Sequence, residues 1–499
     1  MEDPKRVEEG FGRTPLDHDD DKDGNKCDNG ECFDNNANDD WTAVNGERKG
    51  EDQPPPSEKP KTKRVATLDA FRGLTIVMMI LVDHAGIAYP ALDHAPWDGC
   101  MLADFVMPFF LFIVGVAVAL ALKKILKIKD AIYKITLRTL KLLFLGILLQ
   151  GGYSHALADN IDLAYGVDMK LIRWCGILQQ RIALVYFVVA LIETLTTKRR
   201  PLVLSPGHVS IFTAYRWQWI GGFIAFSIYM ITTYSLYIPD WSFVDHKGGK
   251  TYTVKCGTRG HLGPACNAVG YVDREILGIN HLYKSPVWQH LKACTLSSPR
   301  AGPFRYDASR WCHANFEPEG LLSSVSAILS GTIGIHYGHV LIHFKGHSQR
   351  LKQWVSMGFG LLILAFLLHF THAIPINKQL YTISYVCLTA GAAGIVFSGF
   401  YIVIDVWGFR TPFVFLEWIG MNSMLIFVLG AQGILAAFIN GWYYNNPNDT
   451  LVTWIQRRVF IDVWKSRHLG TLFYVIFAEI IFYGVLAGIL HKLGMYWKL

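Results

Sequence analysis

From about residue 65 onward, apolar runs of roughly 20 residues, the length of a bilayer-spanning helix, alternate with polar connections. Ten such runs are visible, at about 73–90, 101–122, 133–150, 176–196, 217–238, 321–343, 354–372, 379–403, 412–436 and 470–490. Trp217, Trp219, Trp354 and Trp497 lie near their ends, where aromatic rings anchor a helix at the membrane surface. The pattern predicts an all-α, polytopic membrane protein of about ten transmembrane helices. Lys59, Lys61, Lys63 and Arg64 precede the first run, and further basic clusters (Lys123, Lys124, Lys127, Lys129; Lys198, Arg199, Arg200; Lys345, Arg350, Lys352) fall on the same side by parity. The positive-inside rule then makes that side, and the N-terminus, cytosolic. Residues 440–469 depart from it with Arg457, Arg458, Lys465 and Arg467, although the sequon Asn448-Asp449-Thr450 favours a lumenal position.

Composition refines this picture. The 499 residues are 51% hydrophobic and 17% charged, and the net charge of +7 is gathered beside the apolar runs. Lipid is therefore the expected partner and nucleic acid is not. Residues 1–64 are acidic and rich in Asn, Asp and Gly, which predicts a disordered cytosolic tail. Residues 240–320 form one long, polar, lumenal loop holding Cys256, Cys266, Cys294 and Cys312. One or two disulfides are expected there, with the pairing open. Cys27 and Cys32 read as free thiols, and no metal site is expected.

Ionisable groups at membrane depth are costly and mark functional sites. His94 lies in a tight turn between Pro90 and Pro96, flanked by Asp93 and Asp98, with Trp97 available as an interfacial wall. Its imidazole can take a proton from a nucleophile or act as one, although an interfacial histidine more often caps a helix. Asp83 and His84 are adjacent in the first run, so they face different sides of a helix and one of them should meet a polar group on a neighbour. Asp104 opens the second run, either as a first-turn carboxylate favoured by the helix dipole or as a partner of His94. Arg72 and Arg181 suit phosphate recognition, anchoring being their commoner role. His336, His339, His343 and His347 recur at roughly helical spacing and read as a cytosolic interfacial face. No phosphate loop, HExxH, GxSxG or paired CxxC motif is present.

The motifs LDAFRGL (68–74), DHAPWDGCMLADFVMPFFLFIVG (93–115), GILQQRIALVYFVVA (176–190), GYVDREILGINHLY (270–283), EPEGLLSSVSAILSGTIG (317–334), PINKQLYTISYV (375–386) and GMNSMLIFV (420–428) follow one another in order. In combination the chain resembles the heparan-α-glucosaminide N-acetyltransferase-like family of transmembrane acyltransferases. The resemblance implies that residues 65–499 form a transmembrane acyltransferase domain. It would move an acetyl group from cytosolic acetyl-CoA to an amine or hydroxyl of a lumenal sugar or glycan, in a lysosomal, vacuolar or other endomembrane, with a homodimer as one option. His94, in the turn His94-Ala95-Pro96-Trp97-Asp98-Gly99, matches the family's catalytic histidine and Asp104 its following aspartate. Asp83 stands where the family has Asn and is counted with them as catalytic, while Arg72, Arg181 and Asn422 are the residues expected to bind the donor. The rival reading is a proton-coupled transporter with Asp83, His84 and Asp104 as a relay; a scaffold that has lost catalysis is a third.

Overall fold

A computed structural model describes residues 65–86, 88–122, 127–149, 178–196, 208–244, 249–300, 302–431, 442, 444 and 449–497. The acidic tail, Cys27 and Cys32, the basic clusters at 59–64, 123–124 and 198–200, and Asn448 of the sequon lie outside these residues. The described chain forms helices α1 (Ala66–Ala85), α2 (Ala103–Leu122), α3 (Ile128–Leu148), α4 (Leu178–Thr196), α5 (His208–Ala214), α6 (Arg216–Ser235), α7 (Ala268–Leu277), α8 (Leu321–His343), α9 (His347–Phe370), α10 (Ile383–Tyr401), α11 (Val414–Met421) and α12 (Ser423–Ile426). It ends in α13 (Arg467–Lys492), whose central turns widen to π geometry.

A helix overlaps each of the ten expected spans, but fewer have the length and apolarity to cross a bilayer. Five meet that standard among the described residues: α2, α8, α9, α13, and α10 with its extension to Val406. A sixth is obtained if the pair Thr411–Met421 and Ser423–Gly430, bent by 73°, counts as one span. The others are more polar. Helix α1 carries Asp69, Arg72, Asp83 and His84, and α3 carries Lys129, Asp130, Lys134, Arg138 and Lys141.

Small residues let the helices approach closely, the usual means of packing where lipid is as apolar as the side chains. Gly334 of α8 faces Phe112 of α2 so closely that an added Cβ would lie 2.2 Å from the Phe112 carbonyl oxygen. Gly73 of α1 and Gly420 of α11 do the same: their Cβ atoms would stand 1.9 Å from Leu416 O and 1.8 Å from Asp69 O. Around these crossings Phe71, Phe112, Tyr337, Trp354 and Phe397 form the buried centre of the bundle.

The 240–320 segment is a small folded domain rather than a long polar loop. Two short antiparallel ladders, one nested within the other in sequence, pair Tyr237–Ile238 with Thr258–Arg259 and Trp241–Val244 with Thr251–Val254. Helix α7 follows, and disulfides join Cys256 to Cys266 and Cys294 to Cys312. Its core holds Phe243, Val254, Val269, Trp288 and Phe316. Such a core is small, and cross-links of this kind are how small extracytosolic domains compensate. Trp97 belongs to this core: it is buried against Trp288 and Phe316, and its Nε1 donates to Leu262 O at 3.0 Å. It therefore clamps the His94 turn onto the domain rather than forming an interfacial wall.

Candidate active site

The turn after α1 is non-helical because Pro90 and Pro96 deny it backbone donors. It is held from within by the His94 amide, which donates to Asp93 Oδ1 at 2.7 Å. It is held from outside by the α9–α10 connection: Gly99 N donates to Ile376 O at 2.8 Å, and Asn377 Nδ2 donates to Asp98 Oδ1 at 3.1 Å. Asn377 is itself fixed, accepting from Leu380 N at 2.9 Å. Two connections far apart in sequence are thus joined edge to edge.

Asp104, in the first turn of α2, is fully buried, and its Oδ1 lies 2.8 Å from His94 Nδ1. Its Oδ2 accepts from Ala95 N at 3.1 Å and Met101 N at 2.9 Å. The carboxylate therefore both closes the turn and orients the imidazole, uniting the two roles weighed for it above. Pro108 contributes indirectly. Proline lacks the N–H that would bond the carbonyl four residues earlier, and that freed Asp104 carbonyl accepts from Tyr385 Oη at 2.5 Å.

Lys378 completes the group and was not foreseen. Its Nζ stands 2.9 Å from His94 Nδ1, 3.4 Å from Nε2 and 3.5 Å from Asp104 Oδ1. Nδ1 cannot accept from Lys378 while facing a carboxylate oxygen at 2.8 Å without two lone pairs opposing each other. The Nδ1–H tautomer resolves this, donating to Asp104 and leaving Nε2 as the free acceptor. The ring is one-third exposed whereas Asp104 is 0% exposed, so the base can be reached and its partner cannot. His290, from the small disulfide-linked domain, is within electrostatic range of Asp93 and His94, and burial lowers its pKa below the ordinary histidine value.

Asp83 and His84 diverge, as adjacent helical residues must. His84 Nδ1 meets Glu479 Oε2 of α13 at 2.5 Å. The Asp83 side chain is instead exposed, within electrostatic range of His94 and Lys378. Among the described residues His84 pairs with Glu479 and Asp104 with His94, and no direct hydrogen bond joins Asp83 to either.

The residues expected to bind a donor separate. Arg181 lies at the His94 end, buried, where it donates to Ser324 Oγ, Pro318 O and Ser323 Oγ at 3.2, 2.8 and 2.6 Å and covers the Tyr381 ring. These contacts pin the start of α8. Arg72 and Asn422 flank the α1–α11 crossing instead. Arg72 donates to Asp69 Oδ1 at 3.0 Å and to Gly420 O at 3.4 Å. Asn422 sits at the 73° bend, fully buried, with neither side-chain amide atom hydrogen-bonded among the described residues. Four of the residues that decide this geometry (Lys378, Asn377, Tyr385 and Glu479) escaped the sequence reading. For the first three the available signal was the PINKQLYTISYV motif, which carries them.

His336 and His339 also differ from expectation. They are 2% and 1% exposed, inside the bundle rather than on an interfacial face. His339 Nε2 meets buried Glu193 at 3.0 Å and its ring stacks on Tyr215, while Gln218 donates to Glu193 at 2.9 Å.

The class is now defined: a helical membrane protein with an accessible imidazole base oriented by a buried carboxylate and flanked by an ammonium. Comparison with known proteins agrees with the motifs. Residues 64–215 match the family model described as heparan-alpha-glucosaminide N-acetyltransferase, catalytic. The chain is similar to the heparan-alpha-glucosaminide N-acetyltransferase of Mus musculus, 28% identical over 469 residues, which cover 90% of this chain and 62% of that protein. The Homo sapiens protein of the same name is 28% identical over 386 residues, covering 73% and 52%. The chain thus spans between about half and three-fifths of the length of these relatives, and the resemblance drawn from its motifs is borne out.

Proposed function

We propose that this protein is a transmembrane acetyltransferase that moves the acetyl group of acetyl-CoA onto an amine or hydroxyl of a sugar on the extracytosolic side of an endomembrane. The observation that carries the reading is the His94–Asp104–Lys378 group, with its base open to the site and its carboxylate closed to it. His94 Nε2 accepts the proton of the attacking nucleophile, and Asp104 stabilises the imidazolium that forms. The Lys378 ammonium, beside both ring nitrogens, supplies positive charge where the thioester carbonyl becomes an oxyanion, the type of contribution worth most in a partly dry site. The imidazole then returns its proton to the departing thiolate.

Arg72 and Asn422 are the residues proposed to meet the donor. From Arg72 to the end of α1 is about 20 Å at 1.5 Å per residue, a distance suited to an extended pantetheine arm leading to His94. An amide buried without partners is costly, and a polar ligand at the bend would supply them. Arg181, whose donors are engaged by α8, is assigned to holding that helix. The relatives' name specifies a heparan glucosaminide; a sugar amine is the corresponding acceptor here.

The test is thiol release from acetyl-CoA by the purified full chain in detergent, with and without amino sugars. Release that needs both the sugar and His94 supports the reading. Sugar-independent release, or release unchanged in His94→Ala, would overturn it.

A further inference from the structure

The 237–320 domain buries a cation that no acceptor answers among the described residues. Arg274, in the last turn of α7, is 8% exposed, and neither its Nη1 nor its Nη2 has a hydrogen-bond partner there. Its guanidinium lies over the Trp241 ring, with Cζ 3.9 Å from the ring centre, and Nε1 of that same ring is likewise buried without an acceptor. Gly270 makes room for Nη1: a Cβ there would stand 3.1 Å from Nη1 and 3.0 Å from Phe316 Cε2. The neighbouring acids do not answer the charge. Asp273 and Glu275 are within electrostatic range of Arg274, yet neither hydrogen-bonds its terminal nitrogens. Asp273 is committed to the start of α8, where Oδ1 accepts from Leu321 N at 2.9 Å and a Cβ on Gly320 would lie 1.7 Å from Oδ2. Glu275 is exposed. An aromatic face relieves a buried guanidinium only in part, and buried donors without acceptors are rare unless a ligand or ordered water supplies one.

We infer that Arg274 and Trp241 form a binding site for a small inorganic anion of halide size. Nη1, Nη2 and the indole Nε1 can only donate, so they specify a ligand that accepts, and a negative charge on it makes the guanidinium bonds charge-assisted. Little of Arg274 can be reached from solvent, which favours a small ligand, while half-buried Trp241 marks the side of approach. A sulfate would bring more oxygens than these donors can satisfy, and each one left unpaired would carry a desolvation cost. The site bears on the rest of the molecule through Phe316, which shares the space over Gly270 with Nη1 and packs on Trp97 with ring centres 5.9 Å apart. Trp97 carries the His94 turn, so an anion at Arg274 tightens the domain that clamps that turn. This site is independent of the acetyltransferase reading, because filling it requires neither an acyl donor nor an acceptor.

The experiment follows backbone hydrogen exchange in the purified full chain in detergent. Sodium bromide is titrated against sodium gluconate, a bulky reference anion, at constant pH and ionic strength, with sodium sulfate as a separate arm. In the wild type, bromide should raise the protection of α7 and of strand Trp241–Val244 saturably, by about tenfold at ten times its Kd, with no such rise in gluconate or sulfate. Arg274→Gln, which removes the charge, should abolish the bromide dependence. Trp241→Phe, which keeps a ring beneath the guanidinium and removes the Nε1–H donor, should raise the bromide Kd by about fivefold. Absence of a saturable bromide effect in folded wild type, an equal effect of gluconate, or protection by sulfate alone overturns the inference. Bromide protection that persists unchanged in folded Arg274→Gln also overturns it. If Arg274→Gln does not fold, Trp241→Phe decides: a bromide Kd equal to that of the wild type removes the site.

Discussion

Two histidine–carboxylate pairs in this protein have nearly the same geometry and opposite surroundings. His94 and Asp104 are 2.8 Å apart, and His339 and Glu193 are 3.0 Å apart. The first histidine is one-third exposed on a proline-bounded turn with an ammonium beside it. The second is 1% exposed in the middle of α8, its ring covered by Tyr215 and its carboxylate shared with Gln218. The pairing itself therefore does not distinguish a catalytic dyad from a structural one. Access and the neighbouring charge do: the first pair is open to a substrate, whereas the second is buried in a polar network with Gln218 and Tyr215.

Mutating each pair separates these roles. His94→Ala should lower the rate of acetyl transfer about 10²- to 10⁴-fold, the range of a lost general base, while the protein's unfolding midpoint in detergent stays nearly unchanged. His339→Ala should do the opposite, removing about 3 kcal/mol of stability by taking the histidine partner from buried Glu193, with kcat of the surviving folded fraction close to wild type. An activity loss in folded His339→Ala as deep as that of His94→Ala would erase the distinction. The ammonium marks the next difference between the pairs. Lys378→Met should reduce kcat by about 10²-fold, as removal of one oxyanion-stabilising donor does, with a much smaller change in acceptor KM, read by steady-state thiol release.

The 237–320 domain that clamps the His94 turn gives a smaller effect, through pH. Burial pushes the Asp273 carboxyl up to about 7, with nearby Glu317 adding to the rise, even though Leu321 N donates to it. In the folded domain the proton is held up to about pH 7, whereas in the unfolded chain it leaves near pH 4. The stabilisation is thus complete below about pH 4 and is lost as pH rises towards 7, a matter of a few kcal/mol. Hydrogen-exchange protection factors of the 237–320 domain, corrected for the intrinsic pH dependence of exchange, should be higher at pH 5 than at pH 8, and Asp273→Asn should flatten that slope. The smallest effect expected is from Cys256→Ser with Cys266→Ser: opening a loop this short should cost about 2–3 kcal/mol, seen as faster proteolysis of the ladders with the His94 turn still in place.

Local features were the most legible in the sequence. The turn carrying His94 follows from Pro90 and Pro96, and Asp104 lies ten residues on, near enough for chain geometry to suggest the contact. The helices followed from apolar runs, but the bend at Asn422 did not, because Met421-Asn422-Ser423 contains no proline or glycine to announce it. Lys378 was hidden for a different reason. It is 284 residues from His94, and a lysine in a short connection between apolar runs looks like an ordinary surface charge. Glu479 was hidden likewise, 395 residues from the histidine it holds. The domain at 237–320 read as a loop because its strands are two to four residues long, too short for alternation to appear; its cysteines were the visible sign. His339 was misread because a helical spacing of histidines at the end of an apolar run fits a surface stripe equally well until Glu193 and Tyr215 are known to cover it.

The most direct measurement uses deuterated acetyl-CoA and glucosamine with the purified full chain, detecting the acetylated sugar by mass spectrometry in wild type, His94→Ala and Glu193→Gln. The account predicts deuteroacetyl-glucosamine from the wild type and from folded Glu193→Gln, and none above background from His94→Ala. Product from His94→Ala at the wild-type rate, or no product from folded wild type with any amino sugar, would contradict it.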